Sequence, residues 1–307
     1  MFAAVDLGSN SFRLHIGVHD GGRIRIVNSA REPVRLGAGL DARGNLTPQA
    51  IQTALACLNR FSQILKATPL SAVRVVATNT VRVARNAANF VPQFEKAIGY
   101  PIEVISGEEE GRLIYMGVAS TLDAPGERRL VIDIGGRSTE MILGTGYDAR
   151  VMESYRVGSV AWSLKYFPRG EFTEAAFERA EVAAKAVLDE ALTAYPRDAW
   201  DQAYGSSGTI GAVAEVLAAT GWEAGVVTRE AIEWLRDRLL AARRVDRLQI
   251  EGLKEDRRPV IGGGITVLTA VFDLLQIDVM HAAQGALRHG VLYDLLDREH
   301  LQGDLRS

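Results

Sequence analysis

The chain alternates short apolar runs with turn-rich segments, and the period of the runs shifts between two and about 3.6. Residues 3–7 read as an apolar strand, Gly8 to Ser11 as a Gly/Ser/Asn turn, and residues 12–18 as the return strand. Asp20-Gly21-Gly22 turns into a third strand over 23–27. Thr47-Pro48 supplies an N-cap and a first-turn proline for a helix to about residue 65. A buried strand follows over 73–77, then a helix over 86–97 and a strand over 102–105. Ser106-Gly107-Glu108-Glu109 is a capping box opening a helix to about residue 120. In the second half, strands are predicted over 129–133, 138–143 and 149–155, and helices over 160–167 and 173–195. A strand ends at Ala203-Tyr204, before Gly205-Ser206-Ser207-Gly208-Thr209 and a helix. Residues 228–243 read as a helix and 259–261 as a short strand. The turn Gly262-Gly263-Gly264, a helix over 265–275 and a last helix over 286–297 close the chain.

The chain also matches itself without gaps at an offset of 127 residues. Val5-Asp6-Leu7-Gly8-Ser9-Asn10-Ser11 aligns with Ile132-Asp133-Ile134-Gly135-Gly136-Arg137-Ser138, and Leu14, Ile16 and Gly17 fall on Met141, Leu143 and Gly144. Two such segments in register imply a duplicated unit. Each copy is three antiparallel strands followed by alternating helices and strands, so the expected class is mixed α/β, twice over, with a ligand cleft between the halves. Asp123-Ala124-Pro125-Gly126 marks the boundary. The expected domains are residues 1–122 with the last helix, 286–307, and residues 123–285.

Composition narrows the class. At 47% hydrophobic and 24% charged, the chain is neither disordered nor fibrous. Arg, Asp or Gly interrupts the apolar stretches before about 18 residues, so no membrane-spanning helix is expected. A single cysteine, Cys57, and an N-terminus without a basic leader fit a reducing, cytoplasmic setting. The net charge of −3 argues against a general nucleic-acid surface. Only five of the 35 basic residues are lysine, and arginine suits bidentate phosphate contacts.

Both hairpin turns place small residues where successive backbone N–H groups form an anion nest, with the hydroxyls of Ser9, Ser11, Ser138 and Thr139 as further donors. A plain hairpin turn is the competing reading of either one alone. No Walker A motif and no nucleophile elbow occurs. The two later Gly-rich segments stand at predicted helix starts, which attract phosphate but also serve packing. Asp6 and Asp133 close equivalent strands, and Glu140 shares a strand face with Ser138. A carboxylate inside Ser-Thr-Glu-Met-Ile-Leu needs a partner; Mg²⁺, a catalytic water or an arginine would each serve. Glu108, Glu109 and Glu110 suit the first turn of a helix through its dipole alone. Arg82 and Arg85 follow a strand end, where an anion site or a solvated helix face is expected. The five histidines have no zinc-site spacing, and Cys57 reads as core.

Together, Val5-Asp-Leu-Gly-Ser-Asn-Ser-Phe12, Ala77-Thr-Asn-Thr-Val-Arg82, Ile105-Ser-Gly-Glu-Glu-Glu-Gly-Arg112, Leu130-Val-Ile-Asp-Ile-Gly-Gly-Arg-Ser-Thr-Glu140 and Gly205-Ser-Ser-Gly-Thr209 resemble the exopolyphosphatase and guanosine pentaphosphate phosphohydrolase family. The Gly262 turn and Leu287-Arg-His-Gly-Val-Leu-Tyr293 extend the resemblance over almost the whole chain. It implies two RNase H-like domains of the actin/Hsp70/sugar-kinase fold around a central cleft. It also implies a homodimer, and hydrolysis of terminal phosphate from inorganic polyphosphate or of guanosine pentaphosphate to the tetraphosphate. The implied cofactor is a divalent metal, usually Mg²⁺, with a monovalent cation as a further candidate. Carried over by position, Glu110 resembles the base that activates water and Glu140 the second essential carboxylate. Asp133, with Glu140 and Asp6, falls on the metal side. Gly8, Ser9, Asn10, Ser11, Gly135, Gly136, Arg137, Ser138, Thr139, Gly205, Ser206, Ser207, Gly208 and Thr209 fall on the phosphate loops, and Arg82 on a phosphate-contacting arginine.

Three positions depart from the family pattern: Arg137 replaces a glycine, Asn79 a His or Ser, and His289 the middle of an Arg-Glu-Gly triplet. If the glycine position requires positive φ, Arg137 is strained. No metal-spaced His/Asp set follows the second half, so an HD-type C-terminal domain is not expected, and short polyphosphate is the expected main substrate. A kinase of the same superfamily and a non-catalytic polyphosphate or alarmone sensor are the competing readings. The Ser-Gly-Glu-Glu-Glu-Gly-Arg context favours attack by water over transfer to an acceptor.

Overall fold

A computed structural model describes residues 1–20, 23–124 and 126–304, the last six of these by backbone alone. The predicted turn at Gly21-Gly22 and Pro125 of the predicted boundary lie outside the described residues. The chain forms two compact units, Met1–Thr121 joined by the segment from Gly285 onward, and Leu122–Gln284.

The first unit opens with β1 (Phe2–Leu7), β2 (Phe12–Asp20) and β3 (Arg23–Glu32), an antiparallel set, followed by α1 (Pro48–Lys66). The Thr47 hydroxyl caps α1 by accepting from Ala50 N–H. Then come β4 (Ala72–Ala77), α2 (Asn79–Val83), α3 (Ala87–Ile98), β5 (Ile102–Val104) and α4 (Gly107–Ala119). The sheet order is β3-β2-β1-β4-β5, with β4 and β5 parallel to β1. Val5, Leu7, Leu14 and Ile16 point to one face and pack on Leu58 and Phe61 of α1 and Phe90 and Phe94 of α3. The alternate positions Asp6, Arg13 and His15 therefore point to the opposite face.

The second unit repeats the plan with β6 (Arg128–Ile134), β7 (Thr139–Thr145) and β8 (Asp148–Tyr155). It continues with α5 (Ser159–Tyr166), α6 (Glu174–Leu188), α7 (Ala191–Ala194), β9 (Gln202–Ser206) and α8 (Ser207–Ala219). β10 (Val226–Thr228), α9 (Arg229–Ala242), α10 (Ile261–Leu275) and β11 (Val279–Ala282) complete it, and α11 (Leu287–Asp304) belongs to the first unit. Its sheet order is β10-β11-β9-β6-β7-β8, the order of the first sheet with β10 added at the edge. Both units are RNase H-like, and the whole has the two-domain actin/Hsp70/sugar-kinase fold.

The duplication extends to detail. A β-bulge falls between Ile16 and Gly17 in β2 and between Leu143 and Gly144 in β7, equivalent positions at the 127-residue offset. A Cβ added at Gly8 would lie 3.0 Å from Ser11 O, and one at Gly135 would lie 3.0 Å from Ser138 O.

Several elements differ from expectation. The helix predicted over 173–195 stops at Leu188, with α7 a separate turn. The strand predicted over 259–261 is a 3-10 turn at Arg258–Val260, and α10 starts at Ile261 with Gly262, Gly263 and Gly264 inside it. These glycines serve packing: a Cβ at Gly264 would sit 2.7 Å from Thr209 Cγ2, and one at Gly262 would sit 2.8 Å from Phe172 Cε1. The window Arg258–Leu275 has a mean hydropathy of 1.4 and is long and apolar enough to cross a membrane, contrary to expectation. Here 78% of it is buried, as in the core helix of a folded domain.

Candidate active site

In the first unit, Gly8–Ser11 joins β1 to β2 and is strapped from behind. Gly37 N–H donates to Ser9 O at 2.7 Å, and Arg35 N–H donates to Asn10 O at 2.8 Å. The Thr80 hydroxyl at the start of α2 donates to Ser9 Oγ at 2.7 Å, and Arg31 donates to Ser11 Oγ at 3.3 Å. The Ser9 and Asn10 carbonyls are thus occupied, and an anion bound at this turn would be met by backbone N–H groups. The buried Asn10 carboxamide has no hydrogen-bond partner at either end, a polar group that a bound ligand would satisfy.

Asp6 precedes this turn and is buried, and burial pushes its carboxyl up from the usual range while Arg288 and Arg13 pull the other way. Its Oδ2 lies 3.5 Å from Arg288 Nη1, so the predicted metal-side carboxylate already faces a guanidinium.

Glu110 is buried in the first turn of α4, a helix capped by the Ser106 hydroxyl, which accepts from Glu109 N–H at 3.1 Å. Arg82 Nη1 donates to Glu110 Oε2 at 3.2 Å and to Ile105 O at 2.6 Å. The proposed base and the proposed phosphate-contacting arginine thus form one pair. Glu109 does different work. It joins Arg74, Arg112 and Asp294 in an ion network tying α4 to β4 and α11.

In the second unit the turn Gly135–Ser138 is held the same way. Ser159 N–H donates to Gly135 O at 2.9 Å, and Val160 N–H donates to Gly136 O at 2.8 Å, so α5 starts on the turn's carbonyls. Gly158 permits this approach, since a Cβ there would lie 2.5 Å from Arg137 N. Arg137 does not have positive φ, so replacing the family's glycine introduces no backbone strain. Burial pulls its guanidinium down from the usual range, a cost that a phosphate would relieve. The Thr139 hydroxyl is taken, donating to Val157 O at 2.7 Å.

Ser206, Asp133, Glu140 and Ser154 are register partners across β9, β6, β7 and β8, a polar row on one sheet face. Asp133 and Glu140 are directly opposite, a spacing of about 5 Å between Cβ atoms. Ser154 donates to Glu140 Oε1 at 2.7 Å, and Ser206 Oγ is buried without a partner. Two buried carboxylates beside an unsatisfied hydroxyl fit a hard divalent ion that completes its shell with water and phosphate oxygens. Among the described residues no group of three His, Cys, Asp or Glu side chains converges, so protein ligands alone do not make the shell. In the first unit the equivalent row reads Val76, Asp6, Arg13 and Arg31, so one copy of the repeat carries Arg13 where the other carries Glu140.

Gly205–Thr209 is the end of β9 and the start of α8. Ser207 has φ 93, an uncommon value for a non-glycine residue, and its hydroxyl accepts from Thr209 N–H at 3.2 Å. Held strain of this kind marks functional loops. In the first unit, Thr78–Arg82 occupies the matching strand-to-helix step, running from the end of β4 into α2.

Sequence reasoning missed Arg13, Arg31, Thr80, Ser154 and Arg288 as part of these sites. Arg13 was readable from the repeat, because it falls on Glu140 at the 127-residue offset. The contact of Arg288 with Asp6 crosses most of the chain and leaves no local signal.

The model of the Ppx/GppA phosphatase family matches residues 16–299. A guanosine-5'-triphosphate,3'-diphosphate pyrophosphatase of Vibrio atlanticus is 40% identical over 307 residues, covering 100% of this chain and 61% of the relative. One from Aeromonas salmonicida is 41% identical over 300 residues, covering 98% and 60%. The chain thus spans about six-tenths of the length of these curated relatives. Among solved structures, an exopolyphosphatase from Cytophaga hutchinsonii superposes with a TM-score of 0.85 at 26% identity, covering 96% of this chain and 97% of that one. The Aquifex aeolicus member of the Ppx/GppA family gives a TM-score of 0.78 at 27% identity, covering 97% and 98%. By the extent of the family match, the chain belongs to the Ppx/GppA phosphatase family.

Proposed function

We propose that this protein hydrolyses the terminal phosphoanhydride of a polyphosphorylated substrate, with guanosine pentaphosphate as its first substrate and the tetraphosphate as product. The observation that carries the reading is Glu110: a buried carboxylate on a capped helix, aimed by Arg82 at 3.2 Å. Glu110 takes a proton from water as the water oxygen attacks the terminal phosphorus in line. The bridging P–O bond breaks, and its electron pair leaves with the shortened chain. The N–H faces of the two hairpin turns, with Arg137, stabilise charge on the equatorial oxygens. Asp133 and Glu140 would hold a divalent ion, which supplies Lewis-acid stabilisation of phosphoryl charge when bound.

The pentaphosphate comes first because the curated relatives, at 40% identity, carry that name. Polyphosphate is the second reading. It is supported by the Cytophaga hutchinsonii exopolyphosphatase structure, of which this chain covers 97%.

The test supplies purified protein and Mg²⁺ with guanosine pentaphosphate, short polyphosphate, long polyphosphate and ATP in separate reactions. Phosphate release from the pentaphosphate, leaving the tetraphosphate, is expected. Release from polyphosphate alone moves the protein to the second reading. Binding without release from any of them overturns the hydrolase reading and makes the protein a sensor.

A further inference from the structure

The Asp6 carboxylate is held by a side-chain network that the phosphate chemistry above does not use. Arg288, near the start of α11, is almost fully buried, with Nη1 lying 3.5 Å from Asp6 Oδ2 and Nε donating to His15 Nε2 at 3.3 Å. The His15 ring meets His289 edge to face, at 5.2 Å between centroids and 85° between planes. His289 in turn accepts from Ala286 N–H through Nδ1 at 3.2 Å. Gly290 sets the depth of this insertion, because a Cβ there would collide with the Leu113 backbone of α4.

We infer that Arg288 is a positioning residue that fixes Asp6 beside the first hairpin turn, and that His15 is the acceptor that aims it. An N–H donor can reach only an unprotonated imidazole nitrogen, so His15 carries its proton on Nδ1 and is neutral. By the same logic His289 carries its proton on Nε2. Burial holds both imidazoles neutral, at about 3 for His15 and about 4 for His289, with Arg288 adding to the effect. A guanidinium fixed at two of its donors has a set plane. It engages one Asp6 oxygen and leaves the other presented: Oδ1 is buried, has no hydrogen-bond partner and lies 3.4 Å from the Cβ position of Gly8 in the turn. Losing Arg288 removes the guanidinium in contact with Asp6, leaves Arg13 as the remaining counter-charge and frees the buried carboxylate to rotate.

The kinetic consequence rests on the proposed hydrolase reading, but the network itself does not. The experiment compares wild type with Arg288→Met, Arg288→Lys, His15→Leu and His15→Gln, the last placing an amide oxygen where Nε2 stands. Nitrogen-15 NMR of the imidazoles at pH 6 is expected to show His15 neutral and protonated on Nδ1. With guanosine pentaphosphate, Arg288→Met and His15→Leu should each lower kcat by about tenfold or more with KM within about threefold, and His15→Gln should restore most of it. A packing role alone would lower the thermal midpoint of both His15 variants without this split. A cationic or Nε2-protonated His15, wild-type kcat in Arg288→Met, or a His15→Gln variant as slow as His15→Leu would each overturn the inference. If Arg288→Met does not fold, Arg288→Lys and the His15 pair carry the test. If wild type releases no phosphate, the hydrolase reading fails by itself and the ring-nitrogen spectra decide the network.

Discussion

At the scale of single residues, the two copies of the hairpin share a backbone and differ in charge. Asp6 faces Arg13 where Asp133 faces Glu140, so the first copy pairs an acid with a base and the second pairs two acids. Two carboxylates at that spacing repel unless a cation or a proton intervenes. Glu140→Gln should therefore raise the Mg²⁺ concentration for half-maximal phosphate release by about tenfold or more. Ser154→Ala removes the hydroxyl that donates to Glu140 at 2.7 Å and should raise it by roughly tenfold. A Mg²⁺ titration of the three proteins checks both, and identical curves would remove the metal from this pair. Arg137 belongs to the same scale: standing where the family pattern has glycine raised the question of strain, and its ordinary φ answers it.

At the scale of elements, close helix contacts place the functional side chains. Gly117 and Gly290 bring α4 and α11 together, so that Glu110 and Arg288 are carried by one packed pair of helices. Gly290→Ala and Gly117→Ala should each cost about 1–3 kcal/mol through overpacking, lowering the thermal midpoint by several degrees. Gly211→Ala in α8 is the control: open space surrounds its Cβ position, and a slight stabilisation is expected. Equal midpoints for all three by calorimetry would show that α4 and α11 tolerate separation. Much at this scale was legible in the sequence. The hairpins, the caps at Thr47 and Ser106 and the long amphipathic helices each have a local physical signal. Three- to five-residue elements such as β10 and α2 are too short to show a period. The glycines of α10 mimic a loop because close packing and turn geometry select the same residue. Of the site, the two hairpin turns with Asp6 and Asp133 were readable from the repeat and Glu110 only through the family resemblance, while the pairs Arg82–Glu110 and Arg288–Asp6 come from tertiary structure alone.

At the scale of the whole molecule, one consequence concerns stability and the other activity. His15 and His289 titrate at 6.5 when unfolded but at about 3 and about 4 when folded. Between those values the unfolded chain binds more protons, so the contribution of the pair is complete above pH 6.5 and declines as pH falls toward 3. Asp6, with its pKa raised, takes up a proton more readily in the folded state and offsets part of that loss. Thermal midpoints should therefore fall more between pH 7 and pH 4.5 in wild type than in a His15→Gln/His289→Gln variant, and equal falls would contradict buried neutral imidazoles. The most direct test of the account is phosphate release from guanosine pentaphosphate by Glu110→Gln beside wild type, under saturating Mg²⁺. A fall in kcat of about 10²–10⁴-fold with little change in KM is the predicted result, the range general-base catalysis supplies. Turnover at the wild-type rate would remove Glu110 from the chemistry and the central claim with it.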